Sequence, residues 1–226
     1  MSDIRRAWVA ELIGTFALVF FGTTSVTVWT QVARSEAALL GIALAHGLTL
    51  TIMVYTIGHV SGCHINPAVT IALASVKKIG AGDAIVYIAS QLLGAGLAGL
   101  AHRMILPQGA AVLYGLTLPT GAIGQSAISA VAVEATLTFF LMFVIYGTAL
   151  SGRSPQGWHG FAIGMMLATA ILVGGPLTGA ALNPARSFGP ALASGVFEHH
   201  IDYWVGPTIG ALLAALISRR VLTDTQ

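Results

Sequence analysis

Gly62-Cys63-His64-Ile65-Asn66-Pro67-Ala68 is echoed later in the chain by Gly179-Ala180-Ala181-Leu182-Asn183-Pro184-Ala185. Asparagine is a good helix N-cap and proline a good first helical residue, so each copy predicts a helix that starts at its proline. The runs that follow, Pro67 to Val76 and Pro184 to Ser194, are moderately apolar. At about 1.5 Å per residue each crosses only half of a roughly 30 Å hydrocarbon core, which makes them half-helices. A single Asn-Pro-Ala would be no more than a cap. Two copies at matching places in one chain call for a common explanation.

Outward from the motifs, the chain reads as a bilayer protein. Of its 226 residues 56% are apolar and only 8% charged, outside the range of ordinary soluble domains. The charges gather at the ends of long apolar stretches, because hydrocarbon offers a buried ion no solvation. Six stretches qualify as spans: Ala7 to Trp29, Ala37 to Ile57, Ala84 to Ala101, Ser126 to Leu150, Gly160 to Val173 and Ile201 to Ser218. Arg5 and Arg6 before the first run imitate a secretory signal, but the run is too long for one and Glu11 interrupts it. Cys63 is the single cysteine, which excludes an internal disulfide and leaves no two-cysteine metal or redox site. Neither a metal nor a cofactor is expected, and the net charge of +2 points to no nucleic-acid partner.

Three of these spans lie between Asn66 and Asn183, and an odd number of crossings turns the second motif upside down relative to the first. Ala10-Glu11 in the first span is matched by Val133-Glu134 in the fourth. Residues 1–226 therefore read as one domain of two inverted repeats, roughly 1–105 and 126–226: an all-α membrane protein of six transmembrane helices plus two re-entrant half-helices. The glycine-rich approaches, Gly58 to Ile65 and Gly174 to Leu182, can exist at membrane depth only by lining a cavity or lying buried in protein. The half-helices then meet N-terminus to N-terminus near the midplane, where the amides of Asn66 and Asn183 can donate to a passing oxygen beside two positive dipole ends. Cations and protons are repelled there and neutral molecules pass. With both termini cytoplasmic, Arg5, Arg6, Lys77, Lys78, Arg153, Arg219 and Arg220 lie inside and Arg34, Arg103 and Arg186 outside, as the positive-inside rule requires.

The residues from Gly58 to Thr70, and Asn183-Pro184-Ala185-Arg186-Ser187 with Phe188-Gly189-Pro190-Ala191 after it, resemble the two signatures of the aquaporins, or major intrinsic proteins, and the resemblance covers nearly the whole chain. It implies the aquaporin-like fold, one pore per protomer, a homotetramer in the lipid bilayer, and water and small neutral solutes as the permeants. By offset from the asparagines, the family's narrow outer filter falls on His46, Ile171, Ala180 and Arg186. That set resembles the plant tonoplast intrinsic proteins, whose wider filter often admits ammonia, urea or hydrogen peroxide with water. Ser187 stands where glycerol-conducting members usually carry aspartate, and Tyr203-Trp204 also resembles the water-selective side. Some ammonia-conducting relatives carry a histidine after the third helix, where this chain has Gly121.

Single residues divide between pore and scaffold. Arg186 in a half-helix's first turn needs water or buried acceptors beside it, which favours the pore over a structural ion pair. His46 alone in an apolar helix would ordinarily be a core histidine, and the family offset assigns it to the filter. Cys63, three residues before Asn66, should edge the cytoplasmic side of the pore as a mercurial site. His59 and His64 read as structural, tying down a loop with unpaired carbonyls. Glu11 and Glu134 invite a proton-relay reading, but their symmetry suits carboxylates that accept from loop N–H groups. A coupled transporter would also use inverted repeats, yet no acid lies near either motif to partner a coupling cation. An intramembrane enzyme would need a base or ligand set that Ser61, His59 and His64 do not supply.

Overall fold

The computed structural model describes residues 4–222; residues 1–3 and 223–226, the ends of the expected domain, lie outside the described residues. Its long helices are α1 (Ile4–Thr27), α2 (Ala38–Ser61), α4 (Ala81–Ile105), α5 (Ala127–Ile145), α6 (His159–Thr178) and α8 (Asp202–Val221). Between them stand two short ones, α3 (Pro67–Ser75) and α7 (Pro184–Ser194). Asn66 and Asn183 cap the short helices, their side chains accepting from the Ala68 amide and from the Ala185 and Arg186 amides, with proline at the first position of each. No strand occurs among the described residues.

One expectation needs correction. The irregular approaches are shorter than read: α2 runs on to Ser61 and α6 to Thr178, past Gly58, Gly174, Gly175 and Pro176. Glycine there suggested irregular backbone, but each helix stops only where Gly62 (φ 82°) or Gly179 (φ 81°) turns left-handed and closes the last turn on Gly58 or Gly175. Pro176 is tolerated near the end of α6, where its carbonyl accepts from the Thr120 hydroxyl. Of the six spans, five are long and apolar enough to cross a membrane by composition. The sixth, α8, carries Asp202, Arg219 and Arg220 at its ends, which lowers its average, yet at 20 residues it reaches about 30 Å. Along it Val205, Ile209, Leu213, Leu216 and Ile217 form an exposed apolar row of the kind lipid covers.

The packing repeats with the chain. α1 lies on α4 as α5 lies on α8, α2 meets α6 at the centre, and each half-helix crosses over: α3 packs on α8 and α7 on α4. Without a hydrophobic force between helices in lipid, such contacts depend on close approach of backbones. Gly164 faces Gly47 and Thr51 of α2, and a Cβ at Gly210 would stand 2.0 Å from the Ala135 carbonyl oxygen on α5. The small-residue spacings Gly160/Gly164 and Gly206/Gly210 thus serve contacts within the protomer. Buried hydroxyls close on their own helix, as Thr138 does on the Glu134 carbonyl at 2.7 Å.

Gly210→Ala should lower the stability of the detergent-solubilised protein by about 1–3 kcal/mol through overpacking. Gly82→Ala, where no described residue lies within 4 Å of the added carbon, should leave the thermal midpoint unchanged or raise it. Thermal unfolding of both variants checks the contrast.

Candidate functional site

The two approach loops carry backbone that no helix satisfies. In the first, Gly62, Cys63 and Ile65 have φ of 82°, 51° and 39°; in the second, Gly179, Ala180 and Leu182 have 81°, 48° and 53°. Four of these are non-glycine residues in a left-handed conformation that costs energy. Side chains from elsewhere hold it. Glu11 on α1 accepts from the amides of His64 (2.8 Å) and Ile65 (2.6 Å) and from the Ser61 hydroxyl (2.7 Å). Glu134 on α5 accepts from the amides of Ala181 (3.0 Å) and Leu182 (2.8 Å) and from the Thr178 hydroxyl (2.6 Å).

The scaffold extends symmetrically. Ser61 and Thr178 each accept the amide two residues on, and Tyr87 and Tyr203 donate to the Ser61 and Thr178 carbonyls. The first half adds Gln91, which donates to Glu11 and Thr70. His64 and His59 part company: His64 bonds to Thr70 at 3.2 Å and packs on the Tyr87 ring, whereas His59 is exposed in the last turn of α2. The sequence did not single out Thr178, Tyr87 or Gln91, and it marked Ser61 and Tyr203 for other roles than anchoring these loops. The available signal was Ser61 and Thr178, each five residues before its asparagine but differing in type; Tyr87 and Tyr203 stand 21 and 20 residues after theirs, an offset that slips by one.

Where the half-helices meet, the motifs cross-link. The Asn66 amide donates to the Leu182 carbonyl at 2.9 Å, and the Asn183 amide donates to the Ile65 carbonyl at 2.8 Å. Each asparagine oxygen is committed to its own helix N-terminus. An amide group carries two N–H bonds, so one remains on each asparagine. Both asparagines line a cavity of about 310 Å³ that runs between His46 and Arg186 at one end and the 148–156 segment at the other, with Cys63 and His64 along its wall.

The four filter positions do not all lie alike. His46 and Arg186 line the cavity, whereas Ile171 and Ala180 are buried in the core cluster with Leu167 and Leu182 and lie outside its lining. Arg186 donates through Nη1 to the Gly115 carbonyl at 2.7 Å, and its neighbour Ser187 shares a 2.9 Å bond with Thr117. The segment after α4 therefore fixes the guanidinium. It is itself held by His102, whose two ring nitrogens meet Thr23 and Thr27 and whose ring packs edge-on against Tyr114. Among the described residues no cluster of histidine, cysteine or carboxylate could hold a metal.

Glu134→Ala leaves three donors without an acceptor, each worth about 1–3 kcal/mol when buried, so the protein should unfold at clearly lower SDS in a detergent titration. Tyr203→Phe removes the bond to the Thr178 carbonyl and should cost less, about 1 kcal/mol.

The profile of the major intrinsic protein family matches residues 1–218. Aquaporin TIP4-4 of Zea mays is 42% identical over 217 residues, 94% of this chain and 84% of its own. Aquaporin AqpM of Methanothermobacter thermautotrophicus is 40% identical over 240 residues, 96% of this chain and 97% of its own. The X-ray structure of the aquaglyceroporin from Plasmodium falciparum shares the fold, with a TM-score of 0.85 over 97% of both chains at 24% identity. The chain belongs to the major intrinsic protein family and is a passive membrane channel of the aquaporin type, not an enzyme.

Proposed function

We propose that water, and with it small neutral solutes such as ammonia, urea, hydrogen peroxide or glycerol, pass along the cavity by way of Asn66 and Asn183, while protons and ions are refused. The observation that carries this reading is the reciprocal bonding of the two asparagines, which leaves one N–H on each beside the N-termini of α3 and α7. A water oxygen that accepts from both asparagines must point its hydrogens away on both sides, which breaks the donor chain proton hopping needs. Two helix dipoles with positive ends at the same place add to the barrier for cations. Pro67, Ala68, Pro184 and Ala185 serve by starting those helices where the asparagines need them. Glu11, Glu134 and His64 hold the loops and relay no proton: every contact of the two carboxylates named above is to a donor of the loop or its anchors.

His46, Ile171, Ala180 and Arg186 form the filter in this reading. Arg186, buried and fixed by Gly115, rejects cations and supplies donors to a neutral solute in place of its water shell. Ala180 and Ile171 would act by what they leave open rather than by contact. The protomer assembles as a homotetramer, with both termini cytoplasmic as the lopsided basic residues favour.

Stopped-flow light scattering on proteoliposomes with inward gradients of urea, glycerol and ammonia tests the filter. Ala180→Phe should cut urea and glycerol flux by roughly tenfold or more while water flux falls less; an unchanged solute-to-water ratio would remove Ala180 from the filter. A mercurial applied to the cytoplasmic face should block flux in the wild type and leave Cys63→Ser open. Block that persists in Cys63→Ser would show that Cys63 is not the site.

A further inference from the structure

We infer that Gly22 on α1 sets the width of the filter by leaving the notch in which the His46 ring sits. His46 is 1% exposed, and its Nδ1 lies 2.9 Å from the Ile42 carbonyl one turn back in α2. A carbonyl only accepts, so Nδ1 carries the proton and Nε2 of the neutral ring bears the lone pair. Among the described residues, that Nε2 has no hydrogen-bond partner. It is turned onto the surface of α1: a Cβ built at Gly22 would stand 2.4 Å from Nε2, 2.5 Å from Cδ2 and 2.9 Å from Cε1. The ring is therefore placed by two things, the Ile42 bond and the missing side chain at Gly22. No polar contact of Nε2 holds it there.

The consequence follows from what yields. Ordinary carbon contact begins near 3.5 Å, so a methyl at position 22 displaces the ring edge by about 1 Å. The clash is with the end of a side chain and not with backbone, unlike Gly210 on Ala135 or Gly99 on the Gly189 carbonyl. Relief comes from turning the ring rather than from parting the helices. The open volume beside it is the cavity His46 lines together with Arg186, so the ring swings toward the permeant path and carries its lone pair with it. Gly22 is thus a specificity-determining residue that touches no solute, and it matters most for solutes wider than water. This inference rests on His46 standing at the filter.

The test compares water and urea flux in proteoliposomes of the wild type, Gly22→Ala, His46→Ala and the double variant. Gly22→Ala should lower urea flux by roughly tenfold, with a smaller effect on water. His46→Ala should raise the urea-to-water ratio, and the double variant should match His46→Ala, because without the ring the methyl has nothing to push. A double variant as slow to urea as Gly22→Ala would overturn the inference, since the glycine would then act through helix packing. An unchanged ratio in Gly22→Ala, with a raised one in His46→Ala, would overturn it while leaving the filter reading intact. An unchanged ratio in His46→Ala would sink the filter reading itself and the inference with it. Should Gly22→Ala fail to assemble, recovery of assembly by adding His46→Ala supports the notch, and no recovery overturns it.

Discussion

Backbone at membrane depth must find its hydrogen bonds inside the protein, and two loops of this channel meet that requirement with a buried carboxylate each. Glu11 and Glu134 are fully buried. Each accepts from two consecutive loop amides and from the hydroxyl of the last residue of the preceding helix. The same left-handed positions in both loops give the conformation that aims those amides at one acceptor. Everything at the centre depends on it. The place where α3 and α7 begin, the asparagine that caps each, and the carbonyls of Ile65 and Leu182 that receive the opposite asparagine all follow from loops held in that shape.

On this symmetric scaffold the halves differ where their chemistry differs. The position three residues past the asparagine is Val69 in α3 and Arg186 in α7, and the next is Thr70 or Ser187. The threonine turns inward to His64 and Gln91 within its own repeat. The serine instead engages Thr117, in the segment after α4 that also supplies the Gly115 carbonyl to Arg186. One end of the cavity therefore carries a fixed cation and a histidine, and the wall toward the other end carries Cys63 and a loop of small and polar residues. A symmetric framework of helices thus carries a directional lining.

The fold was legible because bilayer physics leaves few choices. Apolar runs of spanning length, two proline-started half-helices and an odd number of crossings between them determine an inverted repeat before any contact is known. Where reading erred, local rules stood in for tertiary ones: Gly58 and Gly174 looked like the starts of irregular backbone, yet the helices persist to Ser61 and Thr178 because only Gly62 and Gly179 turn left-handed. Glu11 and Glu134 could be picked out because an acid in an apolar helix is rare. The left-handed Cys63, Ile65, Ala180 and Leu182 could not, since nothing in their residue types calls for that conformation. The anchor Tyr87 was equally silent, because a tyrosine in a membrane helix has several ordinary uses, and Tyr203 was read for selectivity rather than for its bond to the Thr178 carbonyl. Nor did spacing reveal that His46 leans on Gly22, which only the relation of two helices creates.

The central claim is that the paired asparagines pass water and stop the proton. It is tested most directly by following osmotic shrinkage and the fluorescence of a trapped pH indicator in the same proteoliposomes under a combined osmotic and pH gradient. The account predicts shrinkage far faster than in empty vesicles with an internal pH that drifts no faster than theirs. Proton entry that rises in step with water flux would contradict it.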